Sequence, residues 1–276
     1  MKTTKLKIIA VLVIMAIGYS FTSLGKITIK GSDTMVILSQ QWAEVYMKKN
    51  PGTVIQVTGG GSGVGLAALI NGSTDIANSS RPIKPAELEK IKAKFGKNAI
   101  QIPCAKDGLS VFLNKGNKVS ELTIAQIGGI FSGKITNWKQ VGGDDAKIQL
   151  YGRESSSGTF EFFKEHVVQT DFASTCQTLP GTAAIINAVK KDKYSIGYGG
   201  AAYAEGVKDC KVKKDANSKG YLPTETNIKN KKYPIARYLY MYLTSKPTGE
   251  TKKFIDWILS SEGQKIIAGV GYFPVK

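Results

Sequence analysis

The chain has 276 residues, room for two domains of ordinary size or one large one. Its 38 Lys and Arg against 21 Asp and Glu leave a formal charge of +17, which favours anionic partners in general. The lysines are scattered, with no RNA-binding aromatic motif and no zinc-finger spacing, and one histidine with unclustered carboxylates argues against a metal site, so nucleic acid, metal and cofactor are not expected.

The chain opens with an export signal. Lys2, Lys5 and Lys7 precede an unbroken apolar run from Ile8 to Ile17, and small and polar residues follow to Gly25. A basic start, a short apolar core and a small-residue end read as a secretory signal peptide over residues 1–25, and the run is short for a membrane span. No Cys follows the run, so no lipid anchor is expected there. Without the three leader lysines the charge is 17 − 3 = +14. Export permits disulfides. Cys176 and Cys210, both in polar loop-like surroundings, are the candidate pair, while Cys104 in the apolar run Ile100 to Ala105 reads as a buried thiol.

Short strand-like runs then alternate with helical stretches, the pattern of an α/β protein. Strands are expected at Lys26 to Lys30, Thr53 to Thr58, Asp75 to Asn78, Lys147 to Tyr151, Ser195 to Tyr198 and Ile235 to Leu243. Helices are expected at Val36 to Lys49, Val64 to Asn71, Pro85 to Phe95, Ile124 to Phe131, Thr159 to Val168, Thr182 to Lys190, Ala201 to Glu205, Thr251 to Leu259 and Glu262 to Ala268. From Ala99 to Asn114 two apolar runs flank Lys106-Asp107-Gly108, and the lysine-rich stretch 207–232 reads as surface loops. Trp42, Trp138 and Trp257 fall at apolar periodic positions and are assigned to the core.

Four polar segments interrupt this pattern just before or after an element. Gly31-Ser32-Asp33-Thr34-Met35 lies between a strand and a helix, where Ser32 or Thr34 serves as an N-cap. Gly59 to Gly65 is glycine-rich, but no Lys-Ser or Lys-Thr follows at P-loop spacing, Leu66 stands where a dinucleotide fingerprint needs glycine, and Val64 breaks the hydrolase elbow. Ser79-Ser80-Arg81-Pro82 ends a strand and presents an arginine rigidly. Arg153-Glu154-Ser155-Ser156-Ser157-Gly158-Thr159 precedes a helix and carries more serines than a cap requires. Hydroxyls and unpaired amides gathered at helix starts beside a guanidinium suit a tetrahedral oxyanion. His166 reads as structural, and a serine hydrolase or phosphatase would need a base near Ser62 or Ser157 that spacing does not supply.

Over its mature length the chain resembles the substrate-binding proteins of phosphate ABC transporters. The matching pieces are Gly31 to Met35, Gly61-Ser62-Gly63, Asp75 to Pro82, Leu122-Thr123 through Ile130 to Trp138, Arg153 through Ser157 to Phe160, and Ile196-Gly197-Tyr198. The resemblance implies a two-lobed type II periplasmic-binding-protein fold, each lobe a sheet flanked by helices, the lobes joined by hinge strands. Residues 26–107 plus 236–276 would form one lobe and 108–235 the other. It implies a periplasmic, monomeric, non-enzymatic protein that closes on inorganic phosphate and serves a membrane permease. It places Thr34 and Met35, beside Ser32, in a first phosphate loop, Gly61 and Ser62 in a second, and Arg153, Ser157, Gly158 and Thr159 in a third. In some members of the family an Asp at the position of Ser80 accepts the proton of hydrogen phosphate and so helps to reject sulfate. Here Ser80 is followed by Arg81, which leaves Asp33 or another carboxylate as the alternative acceptor and keeps sulfate, molybdate and tungstate open as ligands.

Overall fold

The computed structural model describes residues 25–275; apart from Gly25, the expected signal peptide lies outside the described residues. β1 (Gly25–Gly31) buries alternate residues and pairs in parallel with β2 (Thr53–Thr58) and β3 (Ile76–Ser79). Between β1 and β2, α1 (Val36–Lys49) turns Leu38, Trp42 and Tyr46 to one face, four residues apart. Asn50 closes it, ahead of Pro51 and Gly52. α2 (Ser62–Asn71) follows the glycine-rich loop and α3 (Pro85–Phe95) follows β3, with proline in its first turn and Gly96 at its end.

β4 (Ile100–Leu113) is a single strand of 14 residues where the sequence suggests two runs. Asp107 and Gly108 do not break it because each half finds a different partner. As far as Gly108 it pairs antiparallel with β11 (Ala236–Leu243), and from Leu109 it pairs antiparallel with β8 (Ser195–Gly200). The second region adds β5 (Glu121–Thr123), α4 (Ile124–Phe131), β6 (Gln149–Arg153), α5 (Gly158–Phe163), β7 (Gln177–Leu179) and α6 (Gly181–Lys191). The strand order is β2-β1-β3-β11-β4-β8-β6-β7, so β4 and β11 carry the chain between two halves of one twisted sheet.

The halves have separate cores. Ile27, Ile29, Leu38, Trp42, Met241, Phe254 and Ile258 belong to the first; α8 (Gly249–Ile258) and α9 (Ser261–Val270) help to close it. Leu109, Val111, Ile127, Phe131, Trp138, Phe163 and Tyr198 belong to the second. Trp42 and Trp138 are fully buried and each donates its indole N–H at 2.8 Å, to the Gly263 and Tyr194 carbonyls respectively. Trp257 is only partly buried against the first core.

Three expectations need correction. The stretch 207–232 is not all loop: it carries β9 (Lys208–Asp209), β10 (Lys211–Lys213) and α7 (Glu225–Lys229). β10 pairs with β5 and buries only Val212 between two lysines, an alternation too short to read from sequence. The helix expected to run to Val168 is α-helical only to Phe163 and continues as a π turn over Lys164–Val168. The three thiols are free. Cys210 is buried beside β10, in the separate ribbon with β5, whereas Cys176 packs against Gly152 next to the edge strand β7, so no bridge joins them. Burial pushes the Cys104 and Cys210 thiols up to about 12 and the Cys176 thiol up to about 11. No helix among the described residues is long and apolar enough to cross a membrane.

α2 sits on β1 at Gly65, where a Cβ would lie 2.4 Å from the Lys30 carbonyl oxygen and 2.5 Å from the Gly31 Cα. That contact sets the depth at which Ser62 meets the sheet. Gly65→Ala is expected to lower the stability by about 3 kcal/mol, the upper range for overpacking. The measurement is a shift in the urea midpoint at unchanged slope.

Candidate functional site

Four polar segments leave the carboxyl ends of parallel strands: Ser32 to Thr34 after β1, Gly59 to Gly61 after β2, Ser80-Arg81 after β3, and Glu154 to Ser157 after β6. In an open α/β sheet this is the side on which loops converge and ligands sit. They meet here as a buried cluster of hydroxyls. Thr34 Oγ1 lies 2.8 Å from Thr159 Oγ1, Thr159 Oγ1 lies 3.4 Å from Ser80 Oγ, and Ser80 Oγ lies 3.3 Å from Ser62 Oγ. Ser62 Oγ also accepts the Ser80 amide at 3.0 Å. All four residues are almost fully shielded from solvent. Thr34, Ser62 and Ser80 come from the first half of the sheet and its loops, Thr159 from the second.

Small residues allow this approach. A Cβ on Gly158 would stand 2.3 Å from Ser62 Oγ and 2.9 Å from Ser80 Oγ. Gly61, at φ 96°, has a left-handed backbone, and a Cβ there would lie 2.5 Å from the Ser156 carbonyl oxygen. The Gly63 amide donates to that same oxygen at 2.9 Å, and Ser156 Oγ donates to the Gly60 carbonyl at 3.3 Å. The two halves are therefore hydrogen-bonded to each other through backbone.

The remaining predicted residues frame the cluster. Ser157 caps α5, its Oγ accepting the Thr159 amide at 3.2 Å and the Phe160 amide at 3.3 Å; the Gly158 amide is not among those it takes. Ser32 is buried, with its amide on the Asn78 carbonyl at 2.9 Å. Met35 lies behind the loop: its side chain is in the core and its amide donates to the Ser32 carbonyl at 3.0 Å. His166 belongs to its own helical segment, with Nδ1 3.0 Å from the Phe162 carbonyl and its ring stacked on Phe162. Among the described residues no three acidic, histidine or cysteine side chains could share a metal ion.

Both predicted arginines are already engaged. Arg153 donates through Nη2 to Asp33 Oδ2 at 2.8 Å and to Glu154 Oε1 at 2.8 Å, through Nε to Glu154 Oε2 at 3.1 Å, and through Nη1 to Thr182 Oγ1 at 3.0 Å. Burial alone would raise the Glu154 carboxyl, but Arg153 outweighs it and holds the group below its ordinary value. Arg81 grips Glu87 with both terminal nitrogens, at 2.9 and 2.7 Å, and its Nε lies 2.9 Å from Glu161 Oε2 on α5. Lys84 Nζ reaches the same Glu161 oxygen at 2.7 Å, so Arg81 ties the two halves together at the rim.

Sequence reasoning missed a third arginine. Arg237, the second residue of β11, stands directly opposite Asp107 on β4. Its Nε and Nη2 donate to Asp107 Oδ2 at 3.0 and 2.8 Å, and Nη2 also donates to Thr159 Oγ1 at 2.9 Å. The signal was present: an arginine inside the apolar run 235–243, and an aspartate between two apolar runs. A buried charge in a strand needs a partner, and each of these is the other's.

The Arg81–Glu87 pair gives a pH dependence with a definite sign. Burial works to raise the Glu87 carboxyl, and the Arg81 and Lys84 contacts override it and hold it low. A carboxyl lowered on folding contributes stability that is whole above its unfolded value and is lost as pH falls through its folded value. Glu87→Gln is therefore expected to destabilise at pH 7 and to flatten the loss of stability between about pH 5 and pH 3, measured by urea unfolding across that range.

Comparison with known proteins gives this geometry a family. Residues 20–262 match the PBP superfamily domain. The chain is 32% identical over 269 residues to the phosphate-binding protein PstS of Pseudomonas aeruginosa, covering 91% of this chain and 83% of that one. It is also 32% identical over 252 residues to PstS of Bacillus subtilis, covering 91% and 81%. Among solved structures, a putative phosphate ABC transporter substrate-binding protein from Clostridium perfringens, with bound phosphate, superposes with a TM-score of 0.83 at 32% identity, over 91% of this chain and all of that one. The two-lobed sheet, the loops gathered at the strand ends and these matches together make the chain a member of the phosphate ABC transporter substrate-binding proteins, within the PBP superfamily.

Proposed function

We propose that the hydroxyl-lined cleft binds inorganic phosphate reversibly and that the protein, exported to the periplasm as a monomer, passes it to the membrane permease of an ABC transporter. The observation that carries this reading is the chain of four buried hydroxyls shared between the halves, in a protein of this family. Thr34, Ser62, Ser80 and Thr159 bring the hydroxyls, and the Gly158 amide opens a helix beside them. Ser32, Met35, Gly61, Arg81, Arg153 and Ser157 shape and brace the loops that present them.

A doubly charged anion is costly to take out of water, so it needs many aligned donors. The neighbouring charges cancel in pairs: Arg237 faces Asp107, Arg153 faces Asp33 and Glu154, and Arg81 faces Glu87 and Glu161. The attraction at the site thus comes from hydroxyl and backbone dipoles fixed in place, strengthened by the exclusion of water on closure. Closure takes residues 108–235 as one lobe moving against 26–107 plus 236–276, about the strands that cross at Gly108 and Ala236. No bond in the ligand is made or broken.

Ser80 decides the selectivity. A hydroxyl accepts the proton of hydrogen phosphate as readily as it donates to an unprotonated oxygen. Discrimination against sulfate is accordingly weaker than in a site that holds a carboxylate at this position. In calorimetry, phosphate is expected to bind one to one, arsenate to compete fully, sulfate to compete weakly, and phosphoesters to show no turnover. Thr34→Val keeps the volume and removes one hydroxyl of the cluster, the one 2.8 Å from Thr159 Oγ1, and is expected to weaken phosphate by about 2 kcal/mol, or roughly 30-fold. No heat with phosphate and tight binding of sulfate, molybdate or tungstate would transfer the site to that anion.

A further inference from the structure

We propose that Glu161 is the latch of the cleft: the carboxylate that the second half lays between Arg81 and Lys84 of the first half, and that governs how fast a bound anion escapes. This rests on the reading of the cleft as a closing anion site and names a residue that acts on it without touching the anion.

Glu161 lies in the first turn of α5, its amide on the Ser157 carbonyl at 3.1 Å. It is two positions from Thr159, and residues two apart on a helix point to different sides. Its carboxylate therefore turns away from the hydroxyl cluster and meets the rim of the first half. Oε2 lies 2.9 Å from Arg81 Nε and 2.7 Å from Lys84 Nζ. Among the described residues the carboxylate has no other ion-pair partner, and none from its own half.

The first half holds its side of the contact ready. Arg81 is almost wholly buried, with Nη1 and Nη2 on Glu87 at 2.9 and 2.7 Å and Nη1 also on the Pro82 carbonyl at 2.9 Å. Glu87 Oε2 accepts the Lys84 amide at 2.8 Å, which joins Arg81 and Lys84 to the start of α3. Those bonds lie within one half and survive when the halves part. Arg81 Nε differs from them: it is buried, no hydrogen bond aligns on it among the described residues, and its ion-pair partner is Glu161. Arg81, Lys84 and Glu87 together leave one positive charge uncompensated at this corner, and Glu161 neutralises it. Opening breaks both contacts of Glu161 and none within the first half, so the energy of closure at this corner is concentrated on one side chain.

Other links between the halves are of another kind. The Gly63–Ser156 and Ser156–Gly60 bonds use backbone groups, Thr34 and Ser80 meet Thr159 inside the cluster, and Arg153 meets Asp33 on the loop that frames it. At Glu161 the closed state is weakened while the hydroxyls around the anion stay as they are. An anion leaves when the halves open, so a latch acts on the release rate, whereas association takes place on the open form. An exposed ion pair is worth little and a buried one much more; these contacts, with side chains 6% exposed at Arg81, 21% at Glu161 and 53% at Lys84, stand between the two.

The test measures the association rate of radiolabelled inorganic phosphate and its release into excess unlabelled phosphate. The proteins are wild type, Glu161→Gln, Lys84→Gln, Glu161→Lys and the charge-swapped pair Glu161→Lys/Lys84→Glu, with circular dichroism melts to establish folding. Glu161→Gln is expected to release phosphate roughly tenfold faster than wild type, with association changed by less than about twofold. Lys84→Gln, which leaves the Arg81–Glu161 contact in place, is expected to release it about threefold faster. Glu161→Lys is expected to release faster than Glu161→Gln, and the swapped pair to recover part of that loss, which a merely structural role at this position would not produce. A folded Glu161→Gln, or Lys84→Gln if the first unfolds, whose release rate equals that of wild type overturns the latch and leaves the phosphate reading intact. So does a loss carried by association instead, or a swapped pair no better than Glu161→Lys. Wild type that does not bind phosphate removes the underlying reading and this inference with it.

Discussion

The Thr159 hydroxyl has three neighbours: Thr34 at 2.8 Å, Arg237 at 2.9 Å and Ser80 at 3.4 Å. One hydroxyl offers one proton and two acceptor positions, and this one is met by groups from both halves of the sheet. Its position depends on the Ser157 cap at the start of α5 and on Gly158, where any side chain would collide with Ser62 and Ser80. The loops after β1, β2 and β3 can close onto the second half only because this one short turn is bare of Cβ at its tip.

Around that point the charges are arranged to cancel. Three buried arginines each carry carboxylate partners, and the overall positive charge of the chain lies in scattered lysines on the outside. Such a division separates two tasks. The surface field gathers anions from a distance and is screened by salt. The proposed cleft offers short, fixed dipoles in a dry site, which salt reaches poorly. The same arginines serve the fold: Arg153 and Arg81 each span the two halves, and Arg237 lies on the strands that connect them.

Much of this was legible in the sequence where the signal was periodic or compositional. The spans of α1, α3 and α4 agree with the expected Val36 to Lys49, Pro85 to Phe95 and Ile124 to Phe131 because apolar spacing, a proline start and a Thr123 cap mark them locally. The loops that carry Thr34, Ser62, Ser80 and Thr159 stand out because hydroxyls and glycines cluster at strand-to-helix junctions. What was not legible depends on pairing at a distance. Asp107 and Arg237 are 130 positions apart and each looks like an interruption until β4 and β11 are paired. β10 has a single buried residue and no pattern to find. The orientation of an arginine is not written in its neighbours: Arg153 and Arg81 sit beside serines in sequence, yet turn to Asp33, Glu154, Glu87 and Glu161 in space.

The central claim, that a tetrahedral anion is held by hydroxyls contributed by both halves, is tested most directly by a crystal structure of the protein grown with inorganic phosphate. The account predicts the anion between the halves, within hydrogen-bond distance of the Thr34, Ser80 and Thr159 hydroxyls. An anion bound outside the cleft, or one touching hydroxyls of one half alone, would contradict it.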